Sequence, residues 1–219
     1  MIHMRQLFLK LGFTASMLLW ASIAVTPATA AIIQYSFTGT VDKVNPLLSS
    51  TTFSTSQLMS GLMTVNTSDT NGLPTIGNYA ITPFSLNIGG YTATMGTSGQ
   101  VEIRNGLPGL DGFNVTVNAP NGLNVNFLGP SIFEIQLRGP ASIFSNDALP
   151  TTPPSVSAFS NFNDWRLVFG PGLGVAVSGT VTNLTVVPLP TAVILFGAGL
   201  ISLVGLGAGG LRNLRGPQA

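Results

Sequence analysis

The sequence predicts an all-β protein, an antiparallel β-sandwich with a jelly roll as one arrangement of it. Within residues 31–190, segments such as 33–41, 132–137 and 165–169 place apolar side chains at every second position, the period of a half-buried strand. Clusters of Gly, Asn, Asp and Pro punctuate that span at short intervals, as turns do. No window in it sustains a helical 3.6-residue apolar pattern over three turns. About ten short strands in one undivided span fit a sandwich better than a closed barrel.

Taken in order, Ile33, Tyr35, Phe37, Gly39 and Val41 share one face of the first strand, which Asn45-Pro46 ends. A Ser/Thr-rich connection, residues 49–56, leads to a second strand at 58–65. Asn71-Gly72 turns the chain into strands at 79–82 and 84–88, bent at Pro83, and Gly89-Gly90 into 91–95. Further strands are expected at 100–104, 113–118 and 123–127, with turns at Asp111-Gly112 and Asn121-Gly122. In 132–137, Phe133, Ile135 and Leu137 point inward and Glu134 and Gln136 outward. Pro150, Pro153 and Pro154 make residues 148–155 a surface loop. Trp165, Leu167 and Phe169 alternate with Arg166 and Val168, Gly170-Pro171-Gly172 turns, and a final strand covers 175–186. Gly39-Thr40-Val41 and Gly179-Thr180-Val181 echo one another, an echo that fits first and last strands lying side by side.

Both ends of the chain differ from this middle. Arg5 and Lys10 precede an apolar stretch at residues 11–25, and Ala28-Thr29-Ala30 has the small-x-small form that signal peptidase cuts. Residues 1–30 therefore read as a signal peptide removed after Ala30, and residues 31–186 as the exported β domain. Residues 187–219 form a tail. Val187-Pro188-Leu189-Pro190 opens it, residues 191–211 lack any charge, and Arg212 and Arg215 lie in the basic end, residues 212–219. Twenty-one uncharged residues in a helix reach about the thickness of a bilayer's hydrocarbon core. Positive charge behind them favours a cytoplasmic chain end.

With these two signals set aside, the middle has four basic residues (Lys43, Arg104, Arg138, Arg166) against seven acidic ones, a formal −3. It has no basic patch with interleaved aromatics, so nucleic acid is not an expected partner. The chain has no Cys, and its single His is His3, inside the signal peptide. A serine or threonine nucleophile in the exported domain would lack the usual His or Cys chemistry, and a Ser–Lys arrangement would rest on Lys43 alone, beside Asp42. Glu102 and Glu134 are the pair to weigh for glycoside hydrolysis, which needs two carboxylates across a cleft; the outer face of a sheet accounts for them equally. Gly205-Leu206-Gly207-Ala208-Gly209-Gly210 has the spacing of a dinucleotide loop, but no acidic residue follows it.

Asp69, Asn71, Asp111, Asn114, Asp147 and Asp164 lie in or near expected turns, where oxygen-bearing side chains collect. Ca²⁺ is the one cofactor they admit; local turn hydrogen bonds explain them as well, and otherwise no cofactor or metal is expected. Tyr91, Trp165 and Phe162 are the aromatic candidates for stacking on a sugar ring. Phe162, between Asn161 and Asn163, suits that role best, because Trp165 alternates with core residues.

The C-terminal tail resembles the PEP-CTERM sorting signal of Gram-negative bacteria. The likeness lies in Val187-Pro188-Leu189-Pro190-Thr191-Ala192-Val193 and in Leu195-Phe196-Gly197-Ala198-Gly199-Leu200 behind it, the VPLP variant of that signal. Leu189 stands where the namesake motif has Glu, and Arg212 and Arg215 are a sparse version of its basic end. The opening Tyr-x-Phe-x-Gly-x-Val and closing Ser-Gly-x-Val-x-x-Leu strands also resemble those of proteins that carry the signal. The resemblance implies an exosortase-type membrane protease as partner, transient anchoring in the inner membrane, and delivery to the cell surface, the extracellular matrix or a biofilm. The resulting expectation is a non-catalytic surface or matrix protein, not an enzyme, with polysaccharide or matrix components as partners. A carbohydrate-binding, lectin-like module is the alternative, and a glycoside-active enzyme a distant third.

Overall fold

A computed structural model describes residues 32–48, 52–106, 108–172 and 174–188. The described residues form ten strands and one short 3₁₀ turn (Val156–Ala158), with no α-helix among them. The strands are β1 (Ile32–Val44), β2 (Leu58–Asp69), β3 (Ile76–Ile88), β4 (Tyr91–Thr94), β5 (Ser98–Arg104), β6 (Leu110–Asn118), β7 (Asn121–Gly122), β8 (Pro130–Pro140), β9 (Phe162–Phe169) and β10 (Ala176–Val187).

They close into an eight-stranded antiparallel barrel, not a sandwich. Around the ring the order is β1, β2, β3, β5, β6, β8, β9, β10, and β10 returns to β1. Two contacts overturn the expected sandwich. β2 pairs with β3 along most of its length, and β1 pairs with β10 from Gln34↔Val187 to Val44↔Val177. With both made, no pair of facing sheets exists. β4 and β7 are continuations: β3 pairs with β5 through its first half and with β4 through its second, and β7 pairs with β4. The single strand β3 runs through Thr82-Pro83, a cis peptide, where two strands were expected.

Period-two patterning puts the large apolar side chains inside. An eight-stranded barrel is just wide enough for side chains to fill, and here aromatic rings do so. Phe37, Phe84 and Phe133 form a mutual cluster with ring distances of 5.2–6.1 Å, and Phe133 lies 6.5 Å from Trp165. At the rim where the chain enters and leaves, residues 141–161 fold over the opening. The Tyr35 and Tyr79 hydroxyls fasten them, donating to the Pro150 and Asp147 carbonyls at 2.8 Å each. At the opposite rim Phe53, Tyr91 and Phe169 pack together at 5.1–5.8 Å. Burial pushes the Tyr91 phenol up to about 12.

The seam between β1 and β10 depends on two glycines. Register shifts flank Gly39 on β1, and Val41 faces Gly179. A side chain at Gly39 would meet the Thr180 carbonyl at 2.5 Å and the Trp165 indole nitrogen at 2.9 Å. One at Gly179 would collide with the Thr40 carbonyl. Their absence lets Trp165 reach across and donate its indole N–H to Thr40 at 3.1 Å. The two Gly-Thr-Val segments thus lie side by side, as their echo suggested. Beyond Gly179 the β9–β10 ladder stops, and the Asn163 amide replaces it, donating to the Val181 carbonyl at 3.0 Å and accepting its N–H at 3.2 Å.

Three local expectations fail. Residues 123–127 are not a strand: Asn126 and Phe127 take positive φ, and Val125 and Leu128 bridge them as a tight turn. Asp111-Gly112 lies within β6 rather than in a turn, with the Asp111 carboxylate accepting the N–H groups of Gly106, in the preceding turn, and of Phe144, in a distant loop. Asn121-Gly122 pairs with Ala93 and Thr94 as the short β7.

Candidate functional site

The charged side chains of the barrel concentrate on one outer wall, built by β5, β6, β8 and β9. Inward Val101, Ile103, Phe113, Val115, Phe133, Ile135, Leu137, Trp165 and Leu167 force their neighbours outward. Strand register then aligns those neighbours in rows. One row runs Glu102, Asn114, Gln136, Asp164; the next runs Thr116, Glu134, Arg166, Ser178; a third runs Arg104, Gly112, Arg138, Phe162.

Within these rows Arg104 Nε meets Glu102 at 2.6 Å, and Arg166 Nε meets Glu134. Asn114 adds a second donor to Glu102 at 3.0 Å. Among the described residues, Arg138 forms no ion pair. A groove of about 270 Å³ opens over β8 and β9, lined by Glu134, Gln136, Phe162, Asp164, Arg166 and the edge of Trp165. Beyond Asp164 and Arg166 a second groove of about 320 Å³ continues past Lys43, Asn45 and Ser178. On the other side of the barrel, a depression of about 510 Å³ lined by Ser36, Ser60, Leu62, Ser85, Asn87 and Thr92 has no titratable side chain.

Desolvation raises the Asp164 carboxyl above its ordinary value, with Glu134 adding to the effect while Arg166 and Arg138 oppose it. A carboxyl raised on folding adds stability while protonated, and that contribution is lost as pH climbs through its folded value. Asp164→Asn should therefore melt higher than the parent at pH 7, with the gap closing toward pH 3. Thermal melts at the two pH values check this; a variant less stable at pH 7 would mean that the arginines, not burial, dominate.

The sequence candidates distribute unevenly. Glu102 and Glu134 do face outward, but β6 runs between their strands and each carboxylate is held by its own arginine. The proposed calcium residues are scattered, and no group of three or more His, Cys, Asp or Glu among the described residues could hold a metal ion. Asp69 accepts the backbone N–H groups of Asn71, Gly72 and Asn78 at 2.8–3.2 Å. Desolvation would raise its carboxyl, yet these bonds outweigh it and hold it below the ordinary value. Asp111 is fully buried, with its two oxygens taken by the N–H groups of Gly106 and Phe144 at 2.6 and 2.7 Å. Asp42 accepts the Thr40 and Thr180 hydroxyls, and Lys43 is exposed beside it.

Of the aromatic candidates, Tyr91 and Trp165 are core residues, and each spends its polar atom on a backbone carbonyl, Leu123 and Thr40 respectively. Phe162 remains 49 % exposed at the lip of the charged groove. Arg138 and Gln136 complete this wall; alternation had placed Gln136 outward, but nothing in the linear sequence joins it to Phe162. Of the tail motif, Val187 is the last residue of β10 and Pro188 is exposed just beyond. Ala28, Ala30, Leu189, Pro190, Arg212, Arg215 and the expected membrane helix at 191–211 lie outside the described residues. Among the described residues no helix is long and apolar enough to cross a membrane. The chain matches no protein-family model, and neither the curated proteins nor the solved structures yield a match.

Proposed function

We propose that this is a non-catalytic exported protein of the cell surface or extracellular matrix, delivered through an exosortase-processed PEP-CTERM-type tail. In this reading signal peptidase cuts after Ala30, the helix at 191–211 anchors the chain briefly in the inner membrane of a Gram-negative bacterium, and the exosortase releases it. The tail's Val187-Pro188-Leu189-Pro190 motif is the primary support. One structural observation agrees with it: both chain ends leave the barrel at the same rim, on paired strands, with Gln34 opposite Val187. A domain so built can hang from a membrane by either end without rearranging. Val187 is held in the sheet and Pro188 lies exposed just beyond it, so the described part of the motif begins where the ladder ends.

Pro188 and Pro190 keep that entry out of the helix, since a residue before proline avoids the α region. Replacing both with Ala should extend the helix toward the barrel, block cutting and accumulate a full-length membrane form. Fractionation and immunoblotting of the Pro188→Ala/Pro190→Ala chain test this, and normal release of the double variant would remove the prolines from recognition. A second reading, a carbohydrate-binding module, is favoured by the exposed Phe162 ring at the lip of the charged groove.

A further inference from the structure

We propose that the barrel rim opposite the chain ends is a lipid-docking tip, at which Phe127, Leu123 and Leu47 enter the interface of a bilayer whose headgroups carry no net charge. This does not depend on how the tail is processed.

The most exposed large apolar side chains among the described residues are Phe127, at 99 %, Leu123, at 79 %, Leu58 and Leu47. All four lie at this rim: Leu47 follows β1, Leu58 opens β2, and Leu123 and Phe127 belong to the connection from β7 to β8. Single exposed apolar residues need no explanation, but a cluster of them marks an interaction surface. Two loops meet in the tip, because the Asn126 amide donates to the Leu47 carbonyl at 2.5 Å.

The turn that carries Phe127 is strained. Val125 and Leu128 exchange N–H···O bonds at 2.9 and 3.0 Å, with Asn126 (φ 48°) and Phe127 (φ 67°) between them. A two-residue turn with positive φ at both positions favours Asn followed by Gly. Asn126 conforms, but at the second position a bulky aromatic takes a conformation that suits glycine. Strain of this kind clusters where function uses it, and its effect here is to hold the ring in solvent.

Three features select lipid as the occupant. Backbone that enters a membrane must find its hydrogen bonds within the protein. Val125 and Leu128 satisfy each other, and the Leu123 carbonyl accepts the Tyr91 hydroxyl at 3.0 Å. Leu47 donates its N–H to Asn45 Oδ1 at 3.0 Å while its carbonyl accepts from Asn126. Second, residues 44–48, 52–58, 87–97, 118–131 and 168–172 bring no Asp, Glu, Lys, Arg or His to this rim, so no charge has to be dehydrated. Third, a protein partner takes roughly 20–30 residues a side, whereas the tip offers three apolar side chains, none lining the grooves described above. Fluid lipid needs no matching shape. Asp42 and Lys43, the next charges back along β1, have opposite signs, so the tip has no preference for anionic headgroups.

Because the chain has no Cys, a fluorophore can be placed at Asn124→Cys beside the tip, or at Ser85→Cys on the exposed outer wall. Each labelled full-length chain is reconstituted into phosphatidylcholine vesicles with or without bromine on the acyl chains, which quenches only a fluorophore within the lipid. The label at Asn124→Cys should be quenched and the label at Ser85→Cys should not. Adding Leu123→Ser and Phe127→Gly should abolish the quenching. Phe127→Gly alone should nevertheless raise the melting temperature, by about 2–4 °C, because it relieves the turn. No quenching beside the tip, equal quenching at both labels, or quenching that survives the double substitution overturns the tip. Quenching only after phosphatidylglycerol is added overturns the uncharged class. A concentration-dependent emission shift of the tip label in lipid-free detergent, without quenching in vesicles, gives the tip to a second copy of the chain and overturns lipid docking. A lower melting temperature for Phe127→Gly overturns the strained presentation of the ring.

Discussion

Gly179→Val should abolish folding of the barrel. Gly179 lies on β10 opposite Val41, and a Cβ there would run into the Thr40 carbonyl, a backbone atom of the neighbouring strand. Ordinary over-packing in a core costs about 1–3 kcal/mol because side chains can shift. Here the obstacle is the ladder itself, and moving it would also withdraw Thr40 from the Trp165 indole. The β1–β10 seam closes the barrel, so its loss opens two edges at once. Thr182→Val, three positions along on the exposed face of the same strand, should stay within about 0.5 kcal/mol of the parent. Urea denaturation followed by far-ultraviolet circular dichroism separates the two. A cooperative transition near the parental midpoint for Gly179→Val would mean that the seam does not close there.

Leu167→Asp should be nearly as damaging. Leu167 is fully buried between Trp165 and Phe169 on β9, opposite Phe133 and Val177. A carboxylate there has no partner, and the cost of burying it competes with a total stability of about 5–15 kcal/mol. Its neighbour Arg166 points outward to Glu134, and such partly exposed pairs are worth about 0–1 kcal/mol, so Arg166→Ser should be mild. The same denaturation series checks both. Equal losses would place β9 in the wrong register, since a slip of one residue exchanges its faces.

Strand faces were legible because burial follows alternation: Tyr35, Phe37 and Val41 on β1, and Phe133, Ile135 and Leu137 on β8, all point inward as the pattern required. Closure was not legible. A sandwich and a barrel share the same alternation and turn chemistry, and they differ only in which strands meet, here β2 with β3 and β1 with β10. The Gly-Thr-Val echo was the one trace of the seam, and its meaning lies in the close approach that Gly39 and Gly179 permit. Turn residues misled where a tertiary partner took part. Asp111 sits inside a strand, its carboxylate accepting the N–H groups of Gly106, in the preceding turn, and of Phe144, in a distant loop.

The candidate wall was legible in part. Phe162 stood out for its flanking asparagines, and Glu134 and Gln136 for their outward phase. Their convergence with Asn114, Arg138 and Asp164 comes from cross-strand register, which no single segment encodes. Asn163 turned out to serve the sheet, its amide replacing the missing ladder between β9 and β10.

We propose that this barrel is exported and then cut free of its tail. Intact-mass measurement of the protein recovered from the outer-membrane or extracellular fraction tests it most directly. The predicted species begins at Ala31 and ends between Val187 and Pro190. A species in that fraction still ending at Ala219 would contradict it and make the tail a plain anchor.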